Sequence, residues 1–218
     1  MKKYIADLHF GHEKVIAFDG RPFESAAQMD EELIRRWNQA VAKKDEVYVL
    51  GDFLYRSEHD YAWYLSRLNG KKHLVLGNHD YRILKDEAAQ SYFQSIHHML
   101  SVRDENRELI LCHYPLLEWR GYFRGSLHIF GHIHEACHAM YEHICRQPNM
   151  LNAGASVIGY QPATLPELIQ YNIGYKSRLA AALAEKHGIR RESDSTSAEV
   201  TTAQAEEDAE DPTGNEEK

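Results

Sequence analysis

The 218-residue chain has little cysteine. Cys112, Cys137 and Cys145 are the only three, and no two of them form a C-x-x-C pair. An odd number leaves at least one thiol unpaired within the chain, which argues against the disulfide framework of small secreted domains. No long apolar run is present, so no membrane-spanning helix is expected. Met1-Lys2-Lys3-Tyr4 carries no signal-peptide pattern. These absences lead to the expectation of a cytoplasmic protein with free thiols and no membrane partner. No internal repeat is visible, which sets solenoid architectures aside.

Net charge is scarce in the body and concentrated at the end. The formal net charge is −8, but Glu192 to Lys218 holds ten acids against the single base Lys218. That leaves 23 acids and 24 bases in residues 1–191, a net charge of about +1. A near-neutral body gives no support for a broad nucleic-acid footprint and does not oppose a local anionic substrate. From Gly188 onward Ser, Thr, Glu, Asp and Ala replace apolar residues, a composition that cannot offset its own ordering entropy. The expected organisation is a folded domain over 1–187 and a disordered acidic tail over 188–218, the tail being a conceivable partner-binding segment. Oligomeric state is not legible.

What the chain does have is histidine, fourteen in all, and their positions matter more than their number. Short apolar runs that read as strands each deliver polar residues at their C-terminal ends. Tyr4-Ile5-Ala6 runs into Asp7-Leu8-His9, where an alternation of two would turn Asp7 and His9 to one side. Glu46–Leu50 ends in Gly51-Asp52. The strand 73–76 ends in Gly77-Asn78-His79-Asp80, with Gly77 permitting a positive φ or a close backbone approach. Glu108–Cys112 ends in His113, and Leu127–Phe130 in Gly131-His132-Ile133-His134. Further strands are expected over 96–102, before the polar turn Arg103–Arg107, and over 150–152.

Helical spacing fills the intervals. A helical turn is expected over Glu13–Phe18. A helix over about 25–42 opens with a Ser25-x-x-Gln28 capping box and carries Met29, Leu33 and Trp37 on one face. Ser57 is expected to cap a helix reaching Leu68, stopped by Asn69-Gly70. Another helix should start near Asp80, and two more should cover 165–170 and 175–186.

Two carboxylates, one amide and four imidazoles at strand ends are too many for one closed tetrahedral zinc site. With Asp52 bridging, they divide into two shells of four protein ligands each. A nitrogen–oxygen set without thiolate suits manganese, iron, zinc, cobalt or nickel rather than an all-oxygen calcium or magnesium cage. Two such ions about 3.5–4 Å apart can clamp a phosphoryl group and lower the pKa of a shared water.

The order Asp-x-His, Gly-Asp, Gly-Asn-His-Asp, His, Gly-His-x-His resembles the calcineurin-like metallophosphoesterase superfamily, in particular its small bacterial and phage branch of predicted phosphoesterases. That likeness is carried by Asp7 to His12, Arg21-Pro22-Phe23, Met29 to Asn38, Gly51 to Phe53, Leu68 to His73, His113 to Leu116 and Arg124 to Ser126, and extends over about residues 1–170. It implies a four-layered α/β/β/α sandwich of two mixed β-sheets flanked by helices. It also implies that Asp7, His9, Asp52 and His134 hold one metal, and Asp52, Asn78, His113 and His132 the other. His79 would stay off the metals as the catalytic residue, stabilising the transition state or protonating the leaving oxygen.

The cofactors implied are two divalent transition-metal ions, manganese first, with iron, zinc, nickel or cobalt as alternatives. The reaction implied is a phosphohydrolase or phosphodiesterase reaction in which a metal-bridging hydroxide attacks a phosphate ester in line. A nuclease or cyclic-nucleotide phosphodiesterase is the alternative, nucleic acid entering only as substrate. A non-catalytic metal-binding scaffold is the alternative of another class. Candidate substrate-binding residues are His12, Arg21, Arg82 and Arg124. Asp80 is read either as tuning His79 or as capping the helix after it. His97 and His98 are read as ordinary strand residues. Cys137–Pro148 reads as an insertion near the mouth of the site. Ala155-Ser156 stands where the family would have Val-Asp.

Overall fold

The computed structural model describes residues 1–135 and 140–192. Eight strands form two four-stranded sheets. The first contains β1 (Lys2–Ile5), β2 (Glu46–Leu50), β3 (Lys71–Val75) and β4 (Phe93–His97), side by side in that order. The second contains β5 (Met99–Asp104), β6 (Arg107–Cys112), β7 (Leu127–Phe130) and β8 (Met150–Asn152), also in chain order. With helices covering the sheets, this is the expected four-layered α/β/β/α sandwich. Tyr4 on β1 donates its hydroxyl to Asp104 on β5 at 2.8 Å, spanning the two sheets.

One detail differs from expectation. The first sheet is wholly parallel among the described residues rather than mixed. Each of its connections contains helix: α1 (Glu13–Phe18) and α2 (Ala26–Ala40), then α3 (Tyr61–Leu65), then a 3-10 turn (Tyr81–Lys85) and α4 (Glu87–Gln90). Such crossovers return the chain to the same end of the sheet, and parallel pairing follows. The second sheet is mixed. Its antiparallel pair β5–β6 turns at Glu105-Asn106, both with positive φ (46° and 61°), as a tight two-residue hairpin requires.

The expected single strand over 96–102 is instead the junction between sheets. His97 ends β4, Met99 begins β5, and His98 is the hinge at which the chain changes sheet. The helix expected from Ser57 is shorter: Asp60 caps it by accepting from Trp63 N at 2.8 Å, while Ser57 Oγ lies 2.7 Å from the Tyr64 hydroxyl. The helix expected near Asp80 forms as the 3-10 turn and α4. The two C-terminal helices are one, α6 (Leu165–Glu192), running past the expected boundary at His187. Gly174 does not interrupt it, because Asn172 fixes the segment by donating to Asn152 O at 2.9 Å. The remaining helix is α5 (Met140–Arg146), within the expected insertion. The expected disordered tail beyond Glu192 and Cys137 lie outside the described residues.

The core is contiguous. Tyr4, Ile5, Val47, Val49, Leu74 and Val75 of the first sheet are buried, as are Leu109, Leu111, Ile129 and Phe130 of the second. α2 buries Met29, Leu33, Ile34 and Trp37, and α6 buries Leu165, Leu168, Tyr175 and Leu179. No helix among the described residues is long and apolar enough to cross a membrane.

Parallel pairing matters for function. The C-terminal ends of β1, β2 and β3 share one edge, and so do those of β6, β7 and β8. Just past these ends, Ala6 pairs with Gly154 and joins the sheets, with Ala6 N donating to Ala153 O at 2.8 Å. Polar residues that follow strands are thereby gathered at one edge.

Candidate metal centre

Four side chains of the expected set, Asp7, His9, Asp52 and His113, are almost wholly buried at this edge, and His134 lies close by at intermediate burial. One oxygen, Asp52 Oδ2, lies 3.6 Å from His9 Nε2 and 3.5 Å from His113 Nε2. His9 Nε2 faces His134 Nε2 at 3.2 Å. Asn78 Oδ1 sits between two imidazoles, 3.0 Å from His113 Nε2 and 3.1 Å from His132 Nδ1. Ligand atoms of Asp7, His9 and His134 lie within 4.8 Å of one another, as do those of Asp7, Asp52 and His113, so either triad could hold an ion. All seven expected ligands are thus drawn together.

Proton positions sharpen the chemistry. His113 Nδ1 lies 2.8 Å from Leu50 O, a group that only accepts, so this nitrogen carries the proton and Nε2 presents a lone pair. His134 Nδ1 lies 2.8 Å from an Asp19 oxygen, which turns Nε2 inward; against the lowering effect of burial, the Asp19 carboxylate holds the His134 pKa above its usual value. Nitrogen and oxygen ligand atoms thus converge: His113 Nε2, Asn78 Oδ1, Asp52 Oδ2 and His134 Nε2. Such a convergence of buried ligand atoms suits a cation. Burial, reinforced by Asp80 and Asp7, holds the Asp52 carboxyl well above its usual range. Burial, with His134 and Arg21 close by, holds His9 well below its usual value.

Backbone close approach makes this packing possible. A Cβ on Gly77 would lie 2.3 Å from Asp52 Oδ1, and one on Gly131 would lie 2.5 Å from Ala6 Cβ and 2.7 Å from Asp7 Oδ2. Only glycine lets the second and third ligand loops of the first sheet meet, or lets the β7 loop lie on Asp7.

Of the two expectations for Asp80, capping of the following turn is not met: its side chain makes no cap there. It is fully buried and accepts from Asp52 N (2.8 Å), Phe53 N (3.0 Å) and Gly77 N (2.9 Å), clamping the Asp52 loop to the Gly77 loop. His79 stands at the rim, half-buried, its ring 4.4 Å from that of Tyr55 and 5.6 Å from that of His9. Its backbone N–H donates to Asp52 Oδ1 at 3.0 Å.

The family described as calcineurin-like phosphoesterase matches residues 4–108. An uncharacterized protein of Methanocaldococcus jannaschii is 30% identical over 168 residues, 76% of this chain and 88% of its own length. The chain belongs to the calcineurin-like phosphoesterase family. Its chemistry is therefore hydrolysis of a phosphate ester. The Gene 66 protein of Mycobacterium phage L5 is 25% identical over 159 residues, covering 60% of this chain and 76% of the phage protein. A solved structure of a protein of unknown function from Aquifex aeolicus superposes with a TM-score of 0.61 at 26% identity, over 78% of this chain and 98% of that one.

The expected substrate-binding residues do not share one location. His12 lies near the phosphoesterase cluster, its ring 5.5 Å from His9 and 4.5 Å from Tyr55. Arg82 is exposed on the 3-10 turn that follows His79, and Arg124 is exposed on a second 3-10 turn, Tyr122–Arg124. Arg21 is the departure. It is buried, with Nη2 donating to Asp7 O at 2.9 Å, Nη1 to Leu8 O at 3.0 Å, and Nε to Asp19 at 3.0 Å. Its guanidinium is turned inward to backbone carbonyls, so it supports the Asp7–His9 loop instead of reaching for substrate.

Several further residues reach the cluster without having been singled out as site residues. Tyr55 packs between His12 and His79, and Tyr114 lies 4.7 Å from His132, ring to ring. Asn152 is fully buried and donates to His134 O at 3.0 Å, tethering that loop. His128, also buried, accepts from Leu116 N at 3.1 Å and donates to Ile110 O at 3.0 Å, which pins the loop after His113. Their partners are distant in sequence, so only folding reveals them. Asp19 could have drawn notice as a lone acid between Phe18 and Gly20, but nothing local connects it to His134.

Proposed function

We propose that the chain is a dinuclear, divalent-metal-dependent phosphohydrolase, Asp7, His9, Asp52 and His134 holding one ion and Asp52, Asn78, His113 and His132 the other. The observation that carries this reading is Asp52 Oδ2, nearly equidistant from His9 Nε2 and His113 Nε2 at 3.6 and 3.5 Å. An oxygen shared in that way is what a bridging ligand requires. Asp7, common to both triads, lies at the same junction. Manganese is the first choice of metal, since nitrogen and oxygen ligands without thiolate fit it as they fit iron, zinc, nickel or cobalt.

Two divalent ions bound here would neutralise phosphoryl oxygens and bring a water toward ionisation at neutral pH. The chain's own residues do the rest. Asn78 contributes an oxygen without a charge, so the site does not repel an anionic ester more than it must. Asp52 and Asp7 supply the negative charge the ions need. His79 is oriented from behind through its backbone bond to Asp52 and from the side by the Tyr55 ring. From the rim it can hold a proton for the departing oxygen, a contribution typical of general acids at about 10²–10⁴-fold.

Metal analysis of the purified chain should find close to two transition-metal ions, with activity lost to EDTA and restored by Mn²⁺. Hydrolysis of bis-p-nitrophenyl phosphate against p-nitrophenyl phosphate then separates diesterase from monoesterase action, and an oligonucleotide substrate tests the nuclease alternative. Asp52→Asn should abolish every one of these activities. Retention of any of them by Asp52→Asn, or indifference to chelator, would refute the bridging assignment.

A further inference from the structure

Asp19 and Arg21 form a buried pair that touches both loops feeding one half of the proposed metal centre. On one side, both Asp19 carboxylate oxygens approach His134 Nδ1, at 2.9 and 2.8 Å. On the other, the same carboxylate takes Arg21 Nε and Nη2 at 3.0 and 2.9 Å. Arg21 then donates to the carbonyls of Asp7 and Leu8, the segment that leads into His9. Asp19 closes α1 as its C-cap, so the pair also ties that helix to the site.

We infer that Asp19 and Arg21 are positioning residues for the ion held by Asp7, His9 and His134, and not for the other ion. This inference rests on the metal assignment proposed above. Its physical basis is that an imidazole with Nδ1 held by a carboxylate presents Nε2 at a fixed angle and as a stronger donor. Arg21 adds a second function. Its planar fork grips the carboxylate with two nitrogens while its remaining hydrogens go to two backbone carbonyls and to Met29 Sδ. The His134 loop and the Asp7–His9 loop, 125 residues apart in sequence at His9 and His134, are thereby held at one spacing. The other half of the centre meets this one at Asp7 and Asp52, and its own imidazole and amide have different contacts. His113 is oriented by Leu50 O, and Asn78 lies against His113 and His132. The asymmetry makes the inference specific: disturbing the pair should loosen one ion and spare the other.

The test is a Mn²⁺ titration of the EDTA-stripped full chain, read by calorimetry and by counting bound metal after gel filtration. Wild type, Asp19→Asn, His134→Ala and the double variant are compared. Asp19→Asn should keep one Mn²⁺ at wild-type affinity and weaken the other by about 10–100-fold. In the His134→Ala background, adding Asp19→Asn should change Mn²⁺ affinity by clearly less than it does in wild type, because the route through that imidazole is gone and only the one through Arg21 is left. Arg21→Lys, which retains the buried charge but not the fork, guards against a folding failure of Asp19→Asn and should weaken the same single ion. Equal weakening of both ions, no weakening, or an Asp19→Asn effect undiminished without His134 would each overturn the inference. A wild-type chain that takes up no Mn²⁺ would instead overturn the metal assignment on which it rests, before any substitution is compared.

Discussion

Asp80 offers the sharpest test of how the centre is built, because its role is read from three hydrogen bonds and not from chemistry. The carboxylate is fully buried, with Oδ2 accepting from Asp52 N and Gly77 N, and Oδ1 from Phe53 N. Asp80→Asn can place its single oxygen where Oδ2 stands and keep two of the three bonds. The amide nitrogen then confronts Phe53 N–H, one buried donor left unsatisfied, at a cost of about 1–3 kcal/mol. Asp80→Ala strands all three donors, which by the same scale costs roughly 4 kcal/mol or more. Both variants also remove the charge that repels Asp52, so that relief is common to the two. Their difference isolates the hydrogen bonds. For a chain of this size, about 2–4 °C of melting temperature corresponds to 1 kcal/mol. In EDTA-stripped protein, followed by circular dichroism, Asp80→Asn should melt a few degrees below wild type, and Asp80→Ala should lie roughly a further 4–8 °C lower. Equal melting temperatures for Asn and Ala would refute the clamp.

Other substitutions follow the same logic. Burial lowers the pKa of His128 to about 4. The unfolded chain protonates this residue near its ordinary value of 6.5 and the folded chain does not, so its contribution is complete above 6.5 and lost as pH falls toward 4. That loss is about 3 kcal/mol, and the acid-side decline in urea-melt stability should be correspondingly shallower in His128→Gln. Gly77→Ala would put a methyl group 2.3 Å from Asp52 Oδ1. It should cut kcat/KM at least tenfold and weaken Mn²⁺ binding, and wild-type values for both would show that the loops need not approach so closely. His79→Ala should slow hydrolysis of an alkyl phosphate ester far more than that of a p-nitrophenyl ester, whose leaving oxygen needs no proton. Equal slowing of the two esters would remove His79 from the acid role.

The site was more legible in the sequence than the fold around it. Each ligand follows a short apolar run, and a parallel sheet brings such strand ends to one edge, so Asp7, Asp52 and Asn78 could be grouped before any coordinates. The sandwich itself was implied by family likeness alone, because spacing does not say which strands pair. His98 shows why. An uninterrupted run of strand-forming residues over 96–102 reads as one strand, yet the chain changes sheets within it, and no local signal marks the change. The supports were invisible for a related reason. Asp19 meets His134 115 residues away, and Asn152 meets Asn172 across a helix. Arg21 was read as a hand for phosphate because exposure cannot be seen in a motif. Burial reversed that reading.

Backbone strain gives these supports their purpose. Asp7, His9, Asp52, His132 and His134 all have positive φ, between 49° and 71°, a region that non-glycine residues seldom enter. At about 1–2 kcal/mol each, the five together cost on the order of 5–10 kcal/mol, comparable to the whole stability of an ordinary domain. Such conformations persist only where the surroundings over-determine them, and here the ligand loops determine one another. Asp7 N donates to Gly51 O at 3.1 Å and His9 N to Asp52 O at 2.9 Å. His79 N donates to Asp52 Oδ1, and His132 N to both Asp7 oxygens at 3.0 Å. A left-handed residue turns its side chain out of the strand's alternation, which is how ligands from separate loops can converge within a few ångströms. The strain, the reciprocal loop bonds and the Asp80 and Asp19–Arg21 supports are therefore one device. In an ordinary extended conformation these five side chains would project from one face or the other of their sheets, and they would not converge on Asn78 and His113 as they do.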